Sequence, residues 1–178
     1  SGCLVLGRHR KALARLGKLF AAGLVEKVYW AVVVGAPAEA QGRVEAALLK
    51  RSEKWGWWMK VDPDGQRAVT DFCVLGQADG LSWLECRPRT GRTHQIRVHC
   101  AELGCPILGD AVYGAKDGGP TPLQLHARAV TLPLYPNRPS IAVTAEPPPH
   151  MLDALERCGY RASPKPAAAD ATVAPPAG

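Results

Sequence analysis

The sequence has no C-x-x-C pair, no apolar run approaching the length of a membrane span, and no internal repeat with a period of about 20 to 50 residues. The first absence, with no signal peptide ahead of it, argues against a disulfide framework, so Cys3, Cys73, Cys86, Cys100, Cys105 and Cys158 are expected as reduced thiols of a cytoplasmic protein. The second excludes a membrane-spanning helix, and the third a solenoid. Also missing are a G-x-S-x-G elbow, an H-E-x-x-H pair and a phosphate-cradling P-loop, so none of the common hydrolase signatures is present. Cys100 and Cys105 near His94 and His99 fit no common zinc-ligand spacing, and no metal site is expected.

The 178 residues suffice for one domain with a real core, expected over residues 1–160, followed by a Pro/Ala-rich tail over 161–178 that has almost nothing to bury and is expected to be disordered. The net charge of +6 becomes informative through its clustering. Arg8, Arg10, Lys11, Arg15 and Lys18 load one early segment, and Arg87, Arg89, Arg92 and Arg97 load another.

Periodicity outlines the elements. Cys3 to Leu6 reads as a short buried strand, and Arg8 to Phe20 as a helix with Leu13, Leu16, Leu19 and Phe20 at helical spacing, stopped near Gly23. Lys27 to Val34 reads as a central strand. After a polar stretch from Glu39, the Asp62-Pro63-Asp64-Gly65 turn predicts a hairpin pairing Trp57 to Val61 with Ala68 to Leu75. Leu81 to Arg87 alternates as a half-buried strand, and His94 to Leu103 predicts a helix stopped by Gly104. Leu123 to Leu132 and Ile141 to Thr144 are further strands, with a closing helix over Met151 to Cys158. Many strands and few helices predict an α+β domain on a mixed, mostly antiparallel sheet flanked by helices.

Residues 87–99 are the densest chemistry in the chain. Four arginines and two histidines fall in Arg87-Pro88-Arg89-Thr90-Gly91-Arg92-Thr93-His94-Gln95-Ile96-Arg97-Val98-His99 with no carboxylate among them, a compact cationic surface suited to phosphate. Trp55, Trp57 and Trp58 with Lys54 and Lys60 form a second aromatic and basic patch of the kind that binds single-stranded RNA, although period-two pairing sends at least one tryptophan into the core. Arg87, Arg89, Arg92 and His94 suit backbone phosphates better than base edges, and Gly91 lets their loop turn tightly. Asp110 reads as a loop-ordering residue rather than a catalytic one.

The string Thr90 to Arg97, followed by Pro106-Ile107-Leu108-Gly109-Asp110 and Tyr113-Gly114, resembles the third motif of the RluA-type pseudouridine synthases, and Lys27-Val28-Tyr29 resembles that family's Lys-x-Tyr motif. The resemblance runs from Ser1 to about Pro149. It implies a pseudouridine synthase catalytic domain acting on rRNA or tRNA as a monomer: the glycosidic bond of a uridine is broken, the uracil turned, and the bond remade through a ring carbon. No metal, nucleotide or redox cofactor is implied. It further implies that Arg97 pairs with the catalytic aspartate, that Tyr29 stacks on the target uracil, and that Ile96 lies against the base from the other side. The aspartate belongs to a His-Arg-Leu-Asp-x-x-Thr-Ser-Gly motif whose last two letters match Ser1-Gly2, so it is expected just ahead of Ser1, leaving this chain inactive alone with a buried Arg97 unpaired. The alternative is a non-catalytic RNA-binding or ribosome-assembly protein on a degenerate synthase fold. The intact Tyr29 and Arg97 favour the synthase.

Overall fold

A computed structural model describes residues 1–53, 56–114 and 121–162, with the side chains of 52, 53, 56 and 57 left aside. Residues 163–178 of the predicted tail, Lys54, Trp55 and the Trp57 side chain therefore lie outside the described residues.

Strands β1 (Glu26–Val34), β2 (Gln41–Glu53), β3 (Gly56–Val61), β4 (Gln66–Ala78), β5 (Leu81–Pro88), β6 (Leu125–Leu132) and β7 (Ile141–Thr144) form one seven-stranded sheet in the order β3-β2-β4-β5-β1-β6-β7. Every pairing between these strands is antiparallel, and an isolated parallel bridge joins Gly2 to Ala127. Among the described residues three helices accompany the sheet: α1 (Arg10–Ala21), α2 (Gln95–Glu102) and α3 (Pro149–Arg157).

The alternation of β1 divides the core. Ala31 and Val33 pack with Leu84, Cys86 and Phe72 against Ile96 and Cys100 of α2, with Tyr29 at the margin. Trp30 and Val32 face the opposite way, against Met151, Ala154 and Leu155 of α3 and Tyr160. Val98 of α2 reaches Leu48, Met59 and Ala68, so this short helix is held over both β1 and the β2-β3-β4 region. Leu16 of α1 joins Val25, Val130 and Leu132. The helix starts at His9, whose Nδ1 accepts from the Ala12 N–H at 3.2 Å, a service usually given by Ser or Asp.

Three expectations need correction. Cys3 to Leu6 is not a strand: the backbone meets β6 over Ser1 to Cys3, where Ala127 N donates to Ser1 O and Cys3 N to Ala127 O, both at 2.9 Å, and Leu4 and Leu6 are exposed. Of the apolar stripe of α1, Leu16 is buried while Leu13 and Phe20 are exposed. The hairpin across Asp62 to Gly65 does not form as predicted, because β3 and β4 both pair with β2, Leu48 standing opposite Val61 and Gln66. The turn itself is there, with Asp62 Oδ1 accepting from Asp64 N at 3.0 Å. Strand β2 escapes a reading by polarity because Arg43 and Glu45 are matched across the ladder by Asp71 and Arg67. The alternation of buried Val44 and Leu48 with exposed Arg43 and Glu45 is the signal that finds it.

Candidate active site

A cleft of about 420 Å³ opens where Phe20 of α1, the loop before α2 and the first turn of α2 meet the sheet. Its lining includes Lys27 and Tyr29 of β1, Arg92 and Gly91 of the loop, and His94, Gln95, Ile96 and Arg97 of the helix start. Of the residues expected to act together, the fold thus gathers Tyr29, Arg92, His94, Ile96 and Arg97. Ile96 is nevertheless mainly a core residue, presenting only an edge to the cleft. Arg87 and Arg89 lie in an adjoining notch of about 240 Å³ with Lys27, Glu26 and Pro88. Each is already met by an acid: Arg87 by Glu85 at 2.8 Å, and Arg89 by Asp71 at 2.6 Å. Trp58 is half-buried on β3, and Lys60 is paired with Asp62.

Local chemistry explains why the loop and helix hold this shape. Gln95 is buried, and its Oε1 accepts from Thr90 Oγ1 at 2.6 Å and Arg92 N at 3.0 Å. Its Nε2 donates to Val69 O and to Thr70 Oγ1, both at 2.9 Å. One amide therefore ties the basic loop to β4. Thr90 adds a second tie by accepting from Val69 N at 3.0 Å. His94 enters the helix with φ of 52°, a left-handed conformation that a non-glycine residue adopts only when its surroundings hold it.

Arg97 carries the electrostatics. Its Nε and Nη2 donate to the two oxygens of Asp110, each at 2.7 Å, and the Asp110 side chain is fully buried. Asp110 Oδ1 also accepts from Val112 N at 2.9 Å and Tyr113 N at 3.0 Å, which fixes the loop as the sequence suggests. Burial pushes the Asp110 carboxyl up, but the Arg97 hydrogen bond, the two N–H groups and the guanidinium charge outweigh it and hold the group below its ordinary value. Arg97 is thus not left unpaired, contrary to expectation. A bidentate guanidinium–carboxylate pair meets the burial cost that an isolated cation would carry.

Nη1 of Arg97 lies 3.0 Å from His94 Nε2, and because a guanidinium can only donate, that ring nitrogen must accept. The proton of the neutral ring then sits on Nδ1, which donates to Tyr113 Oη at 2.9 Å. Burial, reinforced by the Arg97 charge, lowers the His94 pKa and favours this neutral form. The Tyr113 ring lies 4.9 Å from the guanidinium carbon, and its hydroxyl accepts from Met59 N at 2.8 Å. With three of its five N–H groups engaged, Arg97 keeps two for the cleft.

Sequence reasoning missed Gln95 and Tyr113 as site-builders, and it noted Lys27 only as a letter of a motif. Lys27 Nζ donates to Thr90 O at 3.0 Å. Among the described residues no carboxylate lines the cleft, and no group of three or more metal-ligating side chains is found.

The model of the family described as RNA pseudouridylate synthase matches residues 1–102. An uncharacterized RNA pseudouridine synthase of Zymomonas mobilis is 43% identical over 151 residues, covering 83% of this chain and 68% of that protein. The mitochondrial RNA pseudouridine synthase 3 of rice (Oryza sativa subsp. japonica) is 41% identical over 138 residues, 64% of this chain but only 29% of the rice protein. Among solved structures, the human RNA Pseudouridylate Synthase Domain Containing 4 superposes with a TM-score of 0.70 at 25% identity, covering 84% of this chain and 68% of that one. The fold is that of a pseudouridylate synthase domain. The chain belongs to the RNA pseudouridylate synthase family.

Proposed function

We propose that the protein isomerises uridines in RNA to pseudouridine, with the cleft between Tyr29 and Arg97 as the seat of the reaction. The observation that carries this reading is the convergence of a half-buried tyrosine, the edge of Ile96 and a guanidinium held by Asp110 and His94 on one cleft edged by the cationic side chains of Lys27 and Arg92. A uridine extruded from its stack is received between Tyr29 and Ile96, where stacking is worth about 1 to 3 kcal/mol per base. Arg97 offers its two remaining N–H groups to the reacting nucleotide and to the carboxylate that opens the glycosidic bond.

Asp110 does not fill that last role, because both its oxygens are consumed by Arg97 and the loop and its side chain is fully buried. On this reading the carboxylate is one that a form extended ahead of Ser1 would supply. Cys3, Leu4 and Val5 run along a hollow of about 190 Å³ that shares Phe20, Lys27 and Tyr29 with the cleft, so a residue a few positions upstream reaches it at about 3.3 Å per residue. It would stand beside a guanidinium already oriented to keep it ionised.

The test is pseudouridine mapping on ribosomal and transfer RNA treated with this chain or with a form extended upstream through the carboxylate motif. The extended form is expected to modify discrete uridines, naming the RNA, and Tyr29→Ala to lower its turnover by at least a hundredfold. An extended form that binds RNA and modifies nothing contradicts the reading.

A further inference from the structure

Next to the base clamp the chain half-buries a positive charge that the clamp does not use. Lys27 lies two residues before Tyr29 on β1, and both side chains line the main cleft and the hollow along Cys3 to Val5. Its ammonium spends one donor on Thr90 O, and among the described residues no carboxylate lies within ion-pair distance. This sets it apart from Arg87 and Arg89, whose charges are answered by Glu85 and Asp71. Lys27 lines the main cleft, the notch beside it and the hollow along Cys3 to Val5, so it stands where all three meet. A Cβ on Gly91 would come 3.9 Å from Nζ, so the loop passes close to the ammonium and, having no side chain there, leaves it open. A partly desolvated cation without a counter-charge is costly by itself and is prepared for an anion.

We propose that Lys27 forms a phosphate subsite that takes one of the two phosphates flanking the target uridine. Two residues of strand span about 7 Å, the scale on which a nucleotide separates its base from its own phosphate, so a uracil against Tyr29 brings its backbone to Nζ. Two ammonium donors are free to receive it. Burial alone lowers the Lys27 pKa, and a bound phosphate would raise it again. The inference rests on the reading of the cleft as a uridine site and adds the group that fixes the register of the RNA strand.

The probe is a heptanucleotide of RNA with one central uridine among adenosines, made also with a neutral methylphosphonate at either linkage flanking the uridine, and with cytidine in place of uridine. Affinities are measured over a range of salt for the native protein, Lys27→Met and Lys27→Arg. One of the two neutral linkages is expected to weaken native binding about tenfold. Lys27→Met should weaken the parent oligomer to the same degree, become insensitive to that linkage, and lower the salt slope by about 0.7, while Lys27→Arg restores most of the loss. Because the linkage experiment uses the native protein, it stands whether or not Lys27→Met folds. If neither neutral linkage weakens native binding, or if Lys27→Met weakens all oligomers by one common factor, Lys27 is a brace for the Thr90 loop and the subsite is overturned. Equal affinity for the cytidine and uridine oligomers would instead contradict the uridine site, whatever the linkages show.

Discussion

Arg97 is the residue on which the account turns, because it belongs at once to the core and to the cleft. Its bond pair with Asp110 is inside, and its remaining donors face outward. Arg97→Met should therefore fail twice. Turnover of the form extended upstream should fall by three orders of magnitude or more, and unfolding in urea should show a loss of about 3 to 5 kcal/mol, since Asp110 is left charged and buried without its partner. Adding Asp110→Asn should return part of the stability and none of the turnover. A single variant that keeps its activity would remove Arg97 from the chemistry. His94 supplies a pH dependence at the same scale. Protonating its Nε2 sets a second cation against Arg97 and ends their hydrogen bond, so turnover should decline on the acid side, below the ordinary histidine value of 6.5, and His94→Gln should flatten that limb.

At the scale of elements, the loop before α2 is held mainly by one buried amide. Gln95→Leu removes four hydrogen bonds and leaves the Thr90 hydroxyl and the Arg92 N–H without their acceptor, so RNA affinity is expected to drop at least tenfold while stability falls by about 1 to 3 kcal/mol, measured by titration and by urea unfolding. Unchanged affinity would mean that the loop keeps its shape without the amide. The elements that the sequence revealed best are those whose burial is one-sided, such as β5, with buried Ser82, Leu84, Cys86 and Pro88 alternating with more exposed neighbours, and α2, ended by Gly104 at φ of 76°. β2 was hidden because its charges are compensated only across strands, by residues more than twenty positions away. Likewise the Thr90 to Arg97 string located the cleft, but nothing in its spacing revealed that Asp110 would claim Arg97 or that a left-handed His94 would turn its ring onto Tyr113. Those are facts of tertiary packing. Leu4 and Leu6, apolar in sequence and exposed in the fold, mark the opposite failure, where composition alone suggested a strand.

For the whole molecule, His99 and His126 are buried and His94 half-buried, and burial lowers the pKa of all three. His99 is pushed down to about 4 by burial, its Nδ1 bonded to Thr70 Oγ1 and its Nε2 without a partner. Between pH 6.5 and about 4 the unfolded chain binds protons that the folded chain refuses, so stability is greatest above this window and falls as the pH drops through it, His99 alone contributing about 3 kcal/mol. Urea unfolding at pH 7.5 and pH 4.5 should show this loss, and His99→Phe should halve it or better; equal stability at both pH values would contradict the burial of these rings as neutral groups. The larger claim, that the sheet carries a cleft built to isomerise uridine, has a direct chemical signature, because the ring carbon that joins the ribose must surrender its hydrogen. RNA carrying tritium at that carbon of uridine, incubated with the protein extended upstream through the carboxylate motif, is expected to release tritium to water, and Arg97→Met to abolish the release. Bound RNA with no tritium released by the extended protein would contradict the account.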